Sequence, residues 1–200
     1  MRRMDLDYTK EGESMKLLIG ASASSAIIEL PYYIRIFQDK LQAEVRVVVS
    51  DNVSNFINPQ FLGAHIEGKV YQKMLDPAYD VAVPHSFLAS WADMFIVLPC
   101  TANTLAKAAN GITDNLLTML ILCFSRPVLF FPTMNMNMYN TAVVQANVQK
   151  LLDLGHRVAI PDGNVTVTAT GEKMSGGHPP NPYTCAKYIN NMYELYCTTT

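Results

Sequence analysis

Apolar residues fall along this chain in short unbroken runs rather than in strict alternation. Lys16-Leu17-Leu18-Ile19-Gly20, Glu44-Val45-Arg46-Val47-Val48-Val49, Met94-Phe95-Ile96-Val97-Leu98 and Val128-Leu129-Phe130-Phe131 have the length and β-branched or aromatic content of strands covered on both faces. Val70-Tyr71 adds a short strand and Arg157-Val158-Ala159-Ile160 completes six. Longer segments of helical character separate them: Ala26 to Leu41, Pro84 to Trp91, a helix from Leu105, Leu116 to Phe124, and Met138 to Leu154 with Gly155 as its stop. Lys187 to Tyr196 forms a final helix of poor periodicity. Strand alternating with helix predicts a single α/β domain with a doubly wound, six-stranded parallel sheet and right-handed crossovers.

Polar chemistry gathers where those strands end. The first strand runs into Ala21-Ser22-Ala23-Ser24-Ser25, a small-residue turn whose unpaired N–H groups and helix dipole favour an anion such as phosphate. An ordinary serine N-cap explains the same residues, and the glycine pattern of a dinucleotide site is absent. Pro31 kinks the helix that follows. Ser50 closes the second strand, Pro99-Cys100-Thr101-Ala102-Asn103-Thr104 the fourth, and Pro132-Thr133-Met134-Asn135-Met136-Asn137-Met138-Tyr139 the fifth. Carboxyl ends of parallel strands are where open α/β sheets bind ligands. Methionines near a helix start are also common core filler, so the last stretch has two readings.

Beyond Pro161 the pattern changes. Residues 162 to 182 are rich in glycine, threonine and proline, with Val165-Thr166-Val167-Thr168 as part of a hairpin. A loop of this length in a compact domain is functional or disordered.

Composition narrows the function classes. Among 200 residues, 15 are basic and 17 acidic, for a net charge of −2, so there is no nucleic-acid footprint. Only 16% are charged, a scarcity that points to surface buried between subunits. The four cysteines lack a C-x-x-C pair, which indicates neither a metal site nor a disulfide framework and suits a reducing cytoplasm. No run is long enough to span a bilayer. Residues 1 to 15 are expected to form a disordered tail ahead of a domain over 16 to 200.

Three stretches together resemble the homo-oligomeric flavin-containing cysteine decarboxylases, and most nearly the peptidyl-cysteine decarboxylases of lanthipeptide biosynthesis. The family's P-A-S-A-N-T loop corresponds to Pro99–Thr104, with Cys100-Thr101 in place of Ala-Ser. Its P-x-M-N-x-x-M-W corresponds to Pro132–Tyr139, with Tyr139 in place of tryptophan. His85 stands before Trp91-Ala92-Asp93 as the family histidine does. The resemblance implies a Rossmann-like (flavodoxin-like) fold and FMN as cofactor, its phosphate held by Ser24 and Ser25 with help from Ser50, and the cofactor contacted also by Ser22, Thr101, Ala102, Asn103 and Met134. It implies His85 and Asn135 as the catalytic pair, Asn135 also binding the substrate carboxylate. Met138, Thr170, Lys173 and Met174 would contact substrate, with 162–182 as a clamp over a peptide.

The coenzyme A branch of the family carries a cysteine in its Ala-Cys-Gly loop; here the stretch is Ala169-Thr170-Gly171. That difference favours oxidative decarboxylation of the C-terminal cysteine of a ribosomal precursor peptide to an aminoenethiol. The alternatives are phosphopantothenoylcysteine decarboxylation, more distantly a flavin prenyltransferase of related fold, and a regulatory flavoprotein subunit without catalysis. Relatives assemble as trimers or dodecamers, so a homotrimer or homododecamer is expected. His65, His156 and His178 are assigned structural roles.

Overall fold

The computed structural model describes residues 14–66, 69–79, 81–161, 165–166, 173–174 and 177–199. Residues 1–13 of the expected tail lie outside that set, as do 162–164, 167–172 and 175–176 of the expected clamp. Six parallel strands, β1 (Lys16–Ala21), β2 (Glu44–Val49), β3 (Val70–Tyr71), β4 (Met94–Cys100), β5 (Leu129–Pro132) and β6 (Arg157–Val158), pair in the order β3-β2-β1-β4-β5-β6. The chain winds outward from β1 in one direction and from β4 in the other. The seam between β1 and β4 is therefore the switch point at which the carboxyl ends open a crevice.

Alternate strand residues feed two cores. Leu17, Ile19, Val45, Val47 and Ile96 pack under α1 (Leu30–Leu41) and the C-terminal helix, while Leu18, Val48, Phe95, Val97 and Phe130 pack under the helices of the other face. Each fully buried Leu, Ile or Phe contributes about 1.5–3 kcal/mol of transfer free energy, which is why the runs are continuous rather than alternating. Gly20 lets the second face close tightly. A Cβ there would strike Leu117 and come within 3.1 Å of the Phe95 ring.

Local capping decides where several helices begin. The expected helix from Ala26 divides into a 3-10 turn, Ser25–Glu29, and α1, because Pro31 in the first turn of α1 has no N–H to give the preceding residues. After α2 (Pro59–Gly63) and α3 (Pro84–Trp91), α4 spans Ala102–Asn110. It starts three residues earlier than Leu105, because the Thr101 hydroxyl caps it by accepting from the Thr104 N–H. α5 (Leu116–Cys123) has a capping box between Asn115 and Thr118.

The single helix expected over 138 to 154 is two: α6 (Met136–Tyr139), capped by Asn135, and α7 (Ala142–Asp153), capped by Thr141. β7 (Val165–Thr166) pairs antiparallel with β8 (Lys173–Met174), so the hairpin exists. α8 runs over Pro182–Thr199, longer than the expected 187 to 196. Asn181 caps it, its Oδ1 accepting the Thr184 N–H at 3.0 Å, with Pro182 in the position where a missing N–H costs nothing.

Candidate active site at the carboxyl ends of the sheet

Four strand ends are laced together around the crevice. The Ser22 N–H and hydroxyl both donate to the Pro99 carbonyl, at 3.0 and 2.9 Å, and the Ser22 oxygen accepts the Thr101 N–H at 2.9 Å. Ser50 N–H donates to the Ala21 carbonyl at 2.9 Å, and Thr133 N–H to the Cys100 carbonyl at 2.7 Å. These bonds continue the sheet past its last regular pairs, and each joins a segment singled out by sequence to its neighbour.

The serines divide by role. Ser22 is buried, and its hydroxyl is engaged inside the protein. Ser24 caps the 3-10 turn, accepting from the Ala26 N–H at 3.4 Å, and Ser25 is exposed beside it. Ser50 heads the turn Asp51–Asn55 without a side-chain capping bond. The first-turn N–H groups of α4 lie across the seam, with Ala102 half-buried and Asn103 exposed. The exposed Ser25 hydroxyl, the partly exposed Ser24 and Ser50 hydroxyls, the exposed Asn103 amide and the first turn of α4 form a donor set suited to a phosphate monoester.

The methionine stretch separates into parts. Met134 is buried in the core, Met136 packs against the same core, and Met138 is exposed. Asn135 is exposed, and its side-chain oxygen accepts the Asn137 N–H at 2.7 Å. That cap orients the amide: with the oxygen occupied, the nitrogen is left as a donor. Tyr139 is buried, and its carbonyl accepts from the Gln145 amide at 2.6 Å.

His85 lies in the first turn of α3, half-buried. Because α3 leads into β4, it runs back against the strands and its first turn is at the crevice end. Trp91-Ala92-Asp93 lies at the other end and is structural. The Asp93 carboxylate accepts the Lys16 N–H at 2.9 Å, while its N–H donates to the Lys16 carbonyl at 2.9 Å. The Arg46 guanidinium stacks 4.3 Å from the Trp91 ring centre and 4.9 Å from that of Phe87, holding α3 to β2 through one face.

The remaining sequence candidates are placed as follows. His156 is structural: its Nδ1 accepts the Val128 N–H at 3.0 Å, its ring meets Phe130 edge-on, and burial lowers its pKa. His65 stacks edge-on against Phe61. Thr170 lies outside the described residues, while Lys173 and Met174 form β8. Among the described residues no cluster of metal-ligating side chains is found, and no helix is long and apolar enough to cross a membrane.

The Flavoprotein family model matches residues 5–189. The chain belongs to the flavoprotein family. It is 34% identical over 158 residues to the phosphopantothenoylcysteine decarboxylase of Mus musculus, covering 76% of this flavoprotein and 74% of that one. It is also 34% identical over 147 residues to the coenzyme A biosynthesis bifunctional protein CoaBC of Escherichia coli, covering 74% of this chain but spanning only 36% of that protein's length. Among solved structures, the epidermin biosynthesis protein EpiD from Staphylococcus aureus superposes with a TM-score of 0.77 at 30% identity, covering 87% of this chain and 99% of that one. The six-stranded parallel sheet is thus the fold of these flavoproteins.

Sequence reasoning did not find the strap Gly177–Pro182. A Cβ built on Gly177 would fall on the Met134 carbonyl group, so this stretch packs main chain to main chain beside Asn135. Tyr33 Oη donates to the Pro180 carbonyl at 2.9 Å and Cys185 Sγ donates to the same oxygen at 3.1 Å. No local signal predicts a contact between residues so far apart in sequence.

Proposed function

We propose that this flavoprotein oxidatively decarboxylates the C-terminal cysteine of a ribosomal precursor peptide, leaving an aminoenethiol. The family supports a flavin-dependent cysteine decarboxylase, and FMN is its cofactor. Ser24, Ser25, Ser50 and the first turn of α4 would hold the phosphate, with Thr101, Ala102, Asn103 and Met134 along the flavin. When bound, FMN supplies the two-electron acceptor that turns the substrate's Cβ–S bond into C=S, the electron sink that loss of carbon dioxide requires.

The chain's own groups do the rest. His85 takes the thiol proton from the substrate sulfur. Asn135 donates its amide N–H to the substrate carboxylate, an orientation that its bond from the Asn137 N–H enforces. A neutral donor holds the carboxylate without over-stabilising the charge that leaves with carbon dioxide. The exposed Met138 would extend this edge along the peptide.

The observation carrying the oxidative reading is the placement of the four cysteines. Reduction of an enethiol to a thiol takes a hydride, which reduced flavin would supply, and a proton, which the coenzyme A branch would take from an accessible loop thiol; none of the four cysteines is an exposed thiol at the crevice. Cys100 and Cys185 are fully buried, and burial pushes both thiols well above the ordinary range. Cys123 is exposed but ends α5 ahead of β5, at the opposite end of the sheet. Cys197 is exposed near the end of α8, where Tyr196 Oη reaches the Pro127 carbonyl at 3.0 Å, again at that far end. Thr170 stands where the coenzyme A branch carries its loop cysteine.

The second reading, decarboxylation of phosphopantothenoylcysteine, is favoured by the names of the curated relatives. FMN-loaded protein incubated in air with cysteine-terminated peptides and, separately, with phosphopantothenoylcysteine distinguishes them. Loss of about 46 mass units from the peptide, carbon dioxide plus two hydrogens, is expected, whereas loss of about 44 alone would mark the reductive cycle. No change in any cysteine-terminated peptide, despite bound flavin, overturns the first reading.

A trimer, or four trimers as a dodecamer, completes the proposal. Ile28, Tyr32, Phe56, Val83 and Val143 are exposed large hydrophobics, and all lie on segments that leave or approach the crevice end. An apolar rim of this kind fits coverage by another copy. Light scattering that shows an active monomer would refute it.

A further inference from the structure

We propose that Gly177 is a positioning residue: its bare Cα seats the strap Gly177–Pro182 flat on the main chain of Met134 and so sets where Asn135 presents its amide to the substrate carboxylate. The inference rests on the reading of Asn135 given above. The three atoms a Cβ at 177 would meet are the carbonyl oxygen, carbonyl carbon and amide nitrogen of Met134. All are backbone atoms, so no rotamer change clears the overlap, and one of the two chain segments must move.

Just beyond the contact the strap is anchored at Pro180 to Pro182. Pro179, Pro180 and Pro182 are buried, and each proline has a fixed φ. The Pro180 carbonyl accepts from both Tyr33 Oη and Cys185 Sγ. Asn181 is locked into the start of α8 by bonds from the Thr184 and Cys185 N–H groups, each at 3.0 Å. Tyr33 is itself wedged edge-on against the buried Phe37. Each of these contacts resists retreat.

Opposite the strap, the chain is tied to other elements on either side of the contact, while Met134 is held by its buried side chain and Asn135 by bonds within α6 from the Asn137 and Tyr139 N–H groups. Thr133 is bound by its N–H to the Cys100 carbonyl and by its hydroxyl to the Phe131 carbonyl at 3.1 Å. Tyr139 is buried and tied to Gln145. Between them, Asn135, Asn137 and Met138 are exposed, and α6 is a helix of four residues. A side chain at 177 therefore displaces Met134 and turns Asn135. The serine turn and β4 loop, which lie on other strands, keep their geometry.

The test compares a peptide ending in free cysteine with the same peptide ending in cysteinamide, both bound to FMN-loaded protein. Wild type prefers the acid, and Asn135→Asp loses the preference. Gly177→Ala is expected to weaken binding of the acid about 10- to 100-fold, the scale of a one-ångström misplacement, with the amide affinity retained; since Met134 is buried and lies along the flavin, a lower melting temperature and some loss of flavin accompany it, and affinities are compared at equal flavin occupancy. Tyr33→Phe removes one tether of the strap, so the pair Tyr33→Phe with Gly177→Ala should regain part of the preference. A Gly177→Ala protein that keeps the wild-type preference overturns the proposal, as does a double variant that regains none. A wild type that does not distinguish acid from amide overturns the Asn135 reading and this inference with it.

Discussion

The hydroxyl of Ser22 donates to the Pro99 carbonyl at 2.9 Å and accepts the Thr101 N–H at the same distance, so one buried side chain joins the two strand ends that border the crevice. Ser22→Ala leaves the partly buried Thr101 N–H without that acceptor. The expected cost is about 1–3 kcal/mol, read as a lower urea midpoint, accompanied by weaker flavin retention because the β4 loop is no longer pinned. An unchanged midpoint would show that the brace is dispensable.

Asn135 combines a structural cap with a chemical role, and substitution separates them. Aspartate caps as well as asparagine, so Asn135→Asp should melt within a degree or two of wild type. Its charge opposes a carboxylate, and KM should rise by about two orders of magnitude. Asn135→Ala should lose about 1 kcal/mol of stability as well. Calorimetry beside steady-state kinetics checks both, and equal kinetics in Asn135→Asp and wild type would remove Asn135 from the site.

His85→Asn preserves a polar side chain in the first turn of α3 but removes the base. The variant should remain yellow, bind cysteine-terminated peptide, and lose turnover by at least about a hundredfold. Stopped-flow absorbance of the flavin measures this directly. Reduction at the wild-type rate would assign the proton to another group.

His156 makes folding sensitive to acid. Burial holds its pKa below the ordinary 6.5, so the unfolded chain binds the proton more readily than the folded one. The contribution is fully present above pH 6.5 and is lost as pH falls through the lower folded value. Melting temperature should therefore decline on going from pH 7 to pH 5. His156→Gln, which retains an acceptor for the Val128 N–H, should show a shallower decline. Parallel slopes would mean that other groups carry the acid sensitivity.

Much of the architecture was legible because burial on both faces writes continuous apolar runs. β1, β2, β4 and β5 were readable in this way; the two-residue edge strands β3 and β6, only partly buried, were placed without such a run. Helix starts were less legible. Whether Thr101 or Asn135 caps a helix depends on one side-chain oxygen meeting one N–H, a choice that periodicity does not record. Pro31 and Pro182 mark helix starts for the same reason, a missing N–H that an interior position would need.

The sequence by itself determined the strand and helix alternation, the polar segments at the strand ends and the family motifs, since each depends on residues close together in the chain. Tertiary structure alone decided which serine braces and which lie open, and that Trp91-Ala92-Asp93 serves the far end of the sheet. It also placed the exposed thiols away from the crevice and laid Gly177 on Met134. These are contacts between segments tens of residues apart, and only the closing of the sheet brings them within reach.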